Sequence, residues 1–223
     1  LICLDRETGR ILWKKDVPNR GVVRKCEGFM GKHGYASHTP VSDGKAIYCW
    51  FGSHGAVAFD LDGNQLWKTE PFEMTPTTFG SGASPVLHEN LLLINANYEG
   101  RVFVALDKRT GREVWRRDRI GSYTTPLLVT TRGSAELVIN ANNRLAAYDP
   151  RTGKDLWHHL AEKRNTTGYS IPSLISNAVT IYSLDRELVA VRAGGSGDVT
   201  ETHRIWRYDT IAPVASPVYV NGY

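Results

Sequence analysis

Short apolar stretches alternate with polar turns along the whole chain. Runs of four to six aliphatic or aromatic residues, such as Ala46–Trp50, Ala56–Asp60 and Val102–Asp107, are bounded by Gly, Asn or Asp. Runs of this length, rich in β-branched and aromatic residues, are typical of β-strands. No segment keeps a 3.6-residue apolar period over three turns. The pattern therefore predicts an all-β chain.

Two residue markers recur with a shared period. Five of the six tryptophans lie 42 to 54 residues apart, at Trp13, Trp67, Trp115, Trp157 and Trp206. Prolines that follow a small or β-branched residue recur 41 to 46 residues apart, at Pro40, Pro85, Pro126, Pro172 and Pro217. Each of the first four of these Pro residues is followed by three predicted strands, a turn and a fourth strand that carries the Trp. Tandem four-stranded units of about 40 to 50 residues indicate the blades of a β-propeller.

The tight turn repeats the pattern Asp-x-x-Thr-Gly, with Trp four residues after the Gly. Copies occupy residues 5–9, 107–111 and 149–153, and a shorter Asp-Gly version lies at residues 60–63. The carboxylates of residues such as Asp107 and Asp149 can accept backbone N–H bonds, while Gly111 and Gly153 supply the positive φ that the turn needs. We expect each Trp to wedge between blades, with its ring N–H finding a partner there.

One unit departs from this pattern. After Arg192 the turn is replaced by the longer Gly-rich segment 193–202, before Ile205 and Trp206. We expect an extended hairpin where the third and fourth strands join. An anion site is the alternative, but a phosphate loop opens a helix and no helical pattern follows.

The repeat resembles a known family. The residues that carry the resemblance are Gly100, Ala105, Leu106, Asp107, Thr110, Gly111 and Trp115, supported by segments 34–40, 51–53, 59–63 and 193–200. This pattern is similar to the PQQ-like repeat of quinoprotein dehydrogenases and BamB-like outer-membrane assembly factors, and most of all to secreted bacterial PQQ-like propellers. The resemblance covers essentially the whole chain, and it implies a periplasmic or secreted protein.

The repeat boundaries predict one propeller domain over residues 1–223. Four complete blades are expected at 38–68, 83–116, 124–158 and 170–207, with the end of an earlier blade at 1–14 and the start of a later one at 211–223. Since relatives have seven or eight blades, the resemblance implies a fragment of such a ring. A closed five-bladed ring is the alternative.

The composition of the chain argues against several classes of function. The 223 residues carry a formal net charge of +4, but Lys and Arg are scattered rather than gathered in a stripe, so nucleic acid is not an expected partner. The longest apolar runs are far shorter than the roughly 20 residues of a membrane-spanning helix. Three cysteines without metal-ligand spacing predict no zinc site, and Cys3 and Cys49 look like small buried hydrophobes. The Asp60-x-Asp62-x-Asn64 pattern is interpreted as a hairpin turn rather than a calcium loop.

A binding site is expected where loops converge. In a propeller, loops that enter the first strand and loops that join strands two and three open on one face. The candidate ligand-binding residues at this funnel mouth are His38, His54, Glu99, Tyr123, Arg144, Tyr169 and Arg186. Such a mixture of aromatic, imidazole and charged groups suits a small polar ligand or a partner segment. The alternative is that these loops are simply polar.

The sequence-based interpretation is a non-catalytic, monomeric scaffold for a protein or an extracellular ligand, with no catalytic residue, metal or cofactor. A first alternative is a PQQ- and Ca²⁺-dependent dehydrogenase acting on alcohols or sugars. That resemblance implies a carboxylate base and often a vicinal cysteine pair. The chain has no adjacent cysteines, and no acid matches the base. A second alternative is a polysaccharide-binding propeller with Trp50, Tyr98 or Tyr123 stacking on sugars.

Overall fold

The computed structural model describes residues 1–18, 36–72, 80–96, 100–118, 122–141, 143–162, 170–185, 187–210 and 214–221. These residues form five sheets in chain order, antiparallel except for one short parallel pair at the edge of the fourth sheet, so the expected all-β class is confirmed. In each sheet of four, successive strands pair with their sequence neighbours as an antiparallel meander. The first sheet is a two-stranded hairpin of β1 (Ile2–Leu4) and β2 (Ile11–Lys14).

The next two sheets have four strands each. The second sheet contains β3 (Val41–Ser42), β4 (Ala46–Trp50), β5 (Ala56–Asp60) and β6 (Gln65–Lys68). The third sheet contains β7 (Val86–His88), β8 (Leu91–Ala96), β9 (Val102–Asp107) and β10 (Glu113–Asp118). A single 3₁₀ turn, Gly52–His54, joins β4 to β5.

The last two sheets share an irregular element. The fourth sheet contains β11 (Leu127–Thr131), β12 (Ser134–Ala141), β13 (Arg144–Tyr148), β14 (Asp155–Leu160) and the two-residue β18 (Gly197–Asp198). The fifth sheet contains β15 (Ile175–Asn177), β16 (Thr180–Leu184), β17 (Glu187–Arg192) and β19 (Arg204–Asp209). A one-turn helix, α1 (Thr200–His203), lies between β18 and β19.

Each central sheet is buried on both faces. Along β8, Leu92 and Ile94 contact the second sheet, whereas Leu91 and Leu93 contact the fourth. Because successive side chains of a strand point to opposite faces, one apolar run supplies two interfaces. We call the interface between two neighbouring sheets a seam. The core of the protein is the series of seams between successive sheets.

A β-bulge recurs in every sheet, between the Trp-bearing strand and its antiparallel partner. In the third sheet, Glu113 pairs with Leu106 and Trp115 with Ala105, so Val114 is the extra residue. The same shift precedes the Trp in the other four sheets. A bulge bends the strand and re-aims its side chains. The extra residue is apolar in each copy: Leu12, Leu66, Val114, Leu156 and Ile205.

The Trp of one sheet packs on the turn of the next. Trp67 Nε1 donates a hydrogen bond to the Lys108 carbonyl at 2.8 Å, and its ring lies against Gly111, where a Cβ would come within 2.6 Å of the ring. Gly111 has φ +71°. The Gly is therefore required both for the left-handed turn and for the close approach of the ring.

The same contact holds two other seams. Trp13 donates to the Leu61 carbonyl and Trp115 to the Pro150 carbonyl, each at 3.0 Å. In all three cases the acceptor is the residue after the turn aspartate. The recurring contact gives successive sheets the same placement relative to one another.

The seam between the fourth and fifth sheets is built differently. With no Asp-x-x-Thr-Gly turn in the fifth sheet, Trp157 donates instead to Glu136 Oε2 at 2.8 Å. Glu136 is 5% exposed and also accepts bonds from Thr131 Oγ1 at 2.6 Å and from the Gly194 amide at 3.2 Å. A buried carboxylate with three donors thus replaces the missing turn.

Segment 193–202 forms more than the extended hairpin expected from the sequence. Its β18 pairs in parallel with the edge of β14, matching Trp157 with Gly197 and His158 with Asp198. The expectation that no helix follows was wrong, since the one-turn helix α1 begins at Thr200. Just before it, Asp198 Oδ1 accepts hydrogen bonds from the Thr200 amide at 2.9 Å and from the Thr200 hydroxyl at 2.6 Å.

Candidate functional site

The two ends of the sheets differ in what their polar groups do. We define the turn face as the turns that join strands one and two and strands three and four. There, ion pairs cross the seams: Asp43 with Lys108 at 2.8 Å, and Glu89 with Arg151 at 2.6 Å. The hydrogen bond from Lys108 holds the pKa of Asp43 far below its usual range. These charged side chains of the turn face therefore link neighbouring sheets through ion pairs.

The opposite end, the loop face, contains the connections between strands two and three and the connections between sheets. The Phe72 amide donates to the Ser53 carbonyl at 3.1 Å, and the Ala161 amide to the Asn143 carbonyl at 2.8 Å. In both sheets, the bond holds the segment that follows the fourth strand beside the loop that joins the second and third strands. The loop face is therefore the end where a funnel mouth is expected.

A chain of buried polar groups crosses the seams beneath the loop face. Asn95 Nδ2 donates to the Thr124 carbonyl at 2.7 Å, and the Thr124 hydroxyl contacts the Ser170 carbonyl at 3.4 Å. Asn140 Nδ2 donates to Ser183 Oγ at 3.0 Å. All of these side chains are at most 5% exposed. Buried polar groups that are hydrogen-bonded across an interface fix how its two sides fit together.

The chain of polar groups ends in a polar pocket between the fourth and fifth sheets. We call it the seam pocket; its lining residues are Asn140, Asn143, Leu145, His159, Ala161, Ser183, Asp185, Glu187 and Val189. Its volume is about 20 Å³, enough for one water-sized group. The floor is buried, and the half-buried Asn143, Ala161 and Asp185 form its rim.

His159 brings an unsatisfied nitrogen to this pocket. The side chain is 2% exposed, and its Nε2 has no hydrogen-bond partner among the residues that the structure describes. Burial lowers the pKa of His159, and the positive charge of Arg204 adds to this effect. The imidazole is therefore neutral near pH 7.

Glu187 lines the same pocket as His159 and belongs to an ion-pair cluster. Its carboxylate accepts bonds from the Glu162 amide at 3.2 Å and from Arg207 at 3.3 Å. Arg207 also contacts Glu162 at 2.8 Å and Asp209 at 3.5 Å, and Arg204 pairs with Glu162. A backbone amide beside the fourth sheet and an arginine of the fifth sheet thus hold Glu187 in place at 4% exposure.

The two predicted histidines lie near the start of the chain. His38 is 7% exposed, and its ring packs edge-on against Trp50 with ring centroids 6.1 Å apart. His54, on the 3₁₀ turn, lines a cavity of about 210 Å³ together with Leu1, Lys15, Asp16, Val17, Ala36 and Phe51. Burial lowers the pKa of His54, with a smaller effect from Lys68. A ligand-binding role for either histidine stays a prediction.

The remaining predicted site residues lie further along the chain. Tyr123 is half-buried, with its ring beside Gly82, and its amide donates to the Ser170 carbonyl at 2.8 Å. Arg144 is half-buried at the start of β13, next to Asn143 of the seam pocket. Neither the seam pocket nor the cavity beside His54 is lined by Tyr123 or Arg144. Three other predicted residues, Glu99, Tyr169 and Arg186, lie outside the described part of the chain.

The burial of Trp50 argues against its predicted role in stacking on sugars. Trp50 is 1% exposed and packs edge-on against Phe72 with ring centroids 5.0 Å apart, so its face is not open to a sugar. Tyr98 lies outside the described residues.

Sequence reasoning missed the lining of the seam pocket. Asn140, Ser183 and His159 lie within strands, so a search confined to loops passes over them. Polar residues in the middle of otherwise apolar strand runs were the available signal, because buried polar groups need partners.

No group of three or more His, Cys, Asp or Glu residues that could hold a metal ion occurs in the part of the chain that the structure describes. Within the same residues, no helix is long and apolar enough to cross a membrane.

Comparison with known proteins places this fold in a family. The family described as outer membrane protein assembly factor BamB matches residues 1–222. The chain belongs to this family. A BamB from Shewanella oneidensis is 24% identical over 157 residues, covering 68% of this chain and 36% of the relative. The chain thus spans about a third of that relative's length. The resemblance to BamB-like repeats is confirmed.

Solved structures agree on the fold. BamB from Moraxella catarrhalis aligns with a TM-score of 0.61 and 14% identity, over 98% of this chain and 60% of that one. Quinohaemoprotein alcohol dehydrogenase ADHIIG from Pseudomonas putida HK5 aligns at 0.56 with 15% identity, over 78% of this chain and 34% of its own. The quinohaemoprotein alcohol dehydrogenase from Comamonas testosteroni aligns with a TM-score of 0.54 and 15% identity, over 78% of this chain and 35% of that one. The β-propeller class is confirmed.

The dehydrogenases raise the question of PQQ and calcium. Small-molecule sites usually enclose about 300–1,000 Å³, and the two cavities described above, of about 20 and 210 Å³, are smaller. Nor do the described residues bring together the acidic donors that a Ca²⁺ ion takes. Neither of these two cavities, nor any acidic cluster among the described residues, therefore fits PQQ with Ca²⁺.

Proposed function

We propose that this BamB-family propeller is a non-catalytic scaffold that binds a polypeptide partner on its loop face, outside the cytoplasm. The observation that carries the proposal is the difference between the two faces. Turn-face groups such as Asp43, Lys108, Glu89 and Arg151 are paired across seams. The loop face presents a polar pocket with a half-buried rim.

The size of the cavities supports a polypeptide over a small molecule. The seam pocket admits one water-sized group, so a ligand that uses it must make most of its contacts on the surrounding loops. A polypeptide segment can do this, because protein interfaces spread their contacts over a wide area around a few anchoring groups. The matched family and its Shewanella relative are named as outer-membrane protein assembly factors, which supports a protein partner and a place outside the cytoplasm.

Site-specific photo-crosslinking in cells that produce the whole protein tests the proposal. Ala161→p-benzoylphenylalanine places the probe on the rim of the seam pocket. Lys154→p-benzoylphenylalanine is the matched control, because Lys154 is exposed at the turn-face end of the same sheet.

We expect one discrete crosslinked polypeptide from position 161 and none from position 154. Equal products from both positions, or none from either, would contradict a partner-binding loop face. Cell fractionation of the same cultures tests the location, and recovery with cytoplasmic markers would contradict it.

The dehydrogenase alternative is favoured only by the shared fold. The alcohol dehydrogenases align with TM-scores of 0.56 and 0.54 at 15% identity, which is evidence of architecture rather than activity.

A further inference from the structure

The seam pocket is rich in acceptors. His159 Nε2 has no partner among the described residues, and a neutral imidazole can present this nitrogen as an acceptor. Ser183 Oγ accepts from Asn140 and retains a second lone pair. The Glu187 carboxylate, at 4% exposure, completes a set of three acceptor groups from two sheets.

The charge around the pocket is negative on a chain that is positive overall. Within the described residues, the carboxylates in or next to the pocket are those of Glu162, Asp185, Glu187 and Asp209, and the guanidinium groups are those of Arg204, Arg207 and Arg144, which follows the pocket residue Asn143. Acids therefore outnumber bases here, although the formal net charge of the chain is +4. A local excess of carboxylates attracts a cation.

The small volume of the seam pocket favours one kind of cation over another. A space of about 20 Å³ fits a primary ammonium group, which has nearly the size of a water molecule and donates three hydrogen bonds. A guanidinium group is planar, has five N–H donors and needs more room. The buried floor excludes the rest of the ligand, so the ammonium must sit at the end of a slender chain, as in lysine.

We propose that the seam pocket receives the ε-ammonium group of a lysine side chain from the partner polypeptide. This inference rests on the proposed scaffold function and adds the chemistry of the partner. His159 Nε2, Ser183 Oγ and the Glu187 carboxylate accept the three N–H bonds, and the rim residues Asn143 and Ala161 surround the methylene stem.

NMR titration of the ¹⁵N-labelled protein with Nα-acetyl-lysine methylamide tests the inference without needing the natural partner. We expect saturable shifts of the Ser183 amide and of the His159 ring nitrogens. The same compound acetylated on its ε-amine lacks the charge, and we expect it to bind about tenfold more weakly.

Two variants separate the pocket from the rest of the surface. His159→Phe keeps a ring of similar size but removes the acceptor, and should abolish the Ser183 shift. His158→Phe is the matched control, because His158 neighbours His159 on β14 but does not line the pocket, and it should leave the shift unchanged.

Shifts of equal size with both compounds, or no saturable response at Ser183 and His159, would overturn the inference and leave a pocket that holds internal water alone. Because this titration uses a small probe, its failure is distinguishable from the absence of a crosslinked partner.

Discussion

Replacing Gly111 with Ala tests the contact that repeats along the chain. Gly111 has φ +71°, and a Cβ there would lie 2.6 Å from the Trp67 ring. The substitution therefore strains the turn backbone and also pushes the indole away from the third sheet. Moving the ring breaks the 2.8 Å bond from Trp67 Nε1 to the Lys108 carbonyl.

The expected loss of stability combines these effects. A left-handed conformation costs a non-glycine residue about 1–2 kcal/mol. Overpacking against a fixed neighbour adds about 1–3 kcal/mol. Loss of the indole hydrogen bond adds about 1 kcal/mol. We expect Gly111→Ala to lower the free energy of unfolding by about 3–6 kcal/mol.

Gly133→Ala is the matched control. Gly133 has φ +81°, but nothing lies within 4 Å of its Cβ position, so only the backbone cost of about 1–2 kcal/mol remains. A double-mutant cycle completes the test. In a Trp67→Leu background the ring is gone, so Gly111→Ala should cost about as much as Gly133→Ala.

Urea denaturation followed by circular dichroism measures all of these variants. Equal losses for Gly111→Ala and Gly133→Ala, or an unchanged cost of Gly111→Ala after removal of the Trp67 ring, would refute the reasoning.

Three further predictions address other features. Glu136→Leu should lower the free energy of unfolding by about 2–4 kcal/mol, because the buried Trp157 Nε1 and Gly194 N–H donors would both lose their acceptor. Glu113→Leu, at a half-exposed ion pair, should cost less than about 1 kcal/mol in the same urea assay. Burial raises the pKa of Cys49 to about 11, so mass-spectrometric labelling of the native protein with iodoacetamide should modify Cys3 well before Cys49, and equal rates would contradict the buried site. Hydrogen bonds from Asn64 lower the pKa of Asp60 below its ordinary value of 3.8. The stabilisation by the ionised carboxylate is therefore complete above about pH 4 and is lost as the pH falls through the folded-state pKa. The free energy of unfolding, measured as a function of pH, should fall less steeply in acid for Asp60→Asn than for the parent protein.

Local features of the fold were accessible from the sequence because they are encoded locally. The apolar runs 46–50, 56–60 and 102–107 coincide with β4, β5 and β9. Alternation of side chains on a strand and the chemistry of Asp, Thr and Gly in a turn act over a few residues, so a single sequence displays them.

Features that depend on register were not accessible. The bulge before each Trp requires knowing which residue faces Val114 across the sheet, and an apolar residue followed by Trp does not reveal that Val114 is unpaired. The replacement of a turn by Glu136 joins residues of two sheets, and no local pattern connects Glu136 with Gly194.

The candidate site was missed for a related reason. The sequence search favoured loop residues such as His38 and His54, whereas the seam pocket draws His159 and Ser183 from the interiors of strands. Two residues 24 positions apart meet only because their sheets pack face to face. Such a meeting follows from tertiary packing and not from spacing along the chain.

Titration of the whole protein with PQQ in the presence of Ca²⁺ tests most directly whether this propeller is a scaffold or an enzyme. Calorimetry reports binding, and reduction of an electron-accepting dye with alcohols and sugars reports turnover. Our account predicts neither a saturable heat of binding nor dye reduction. Saturable PQQ binding accompanied by turnover would contradict it.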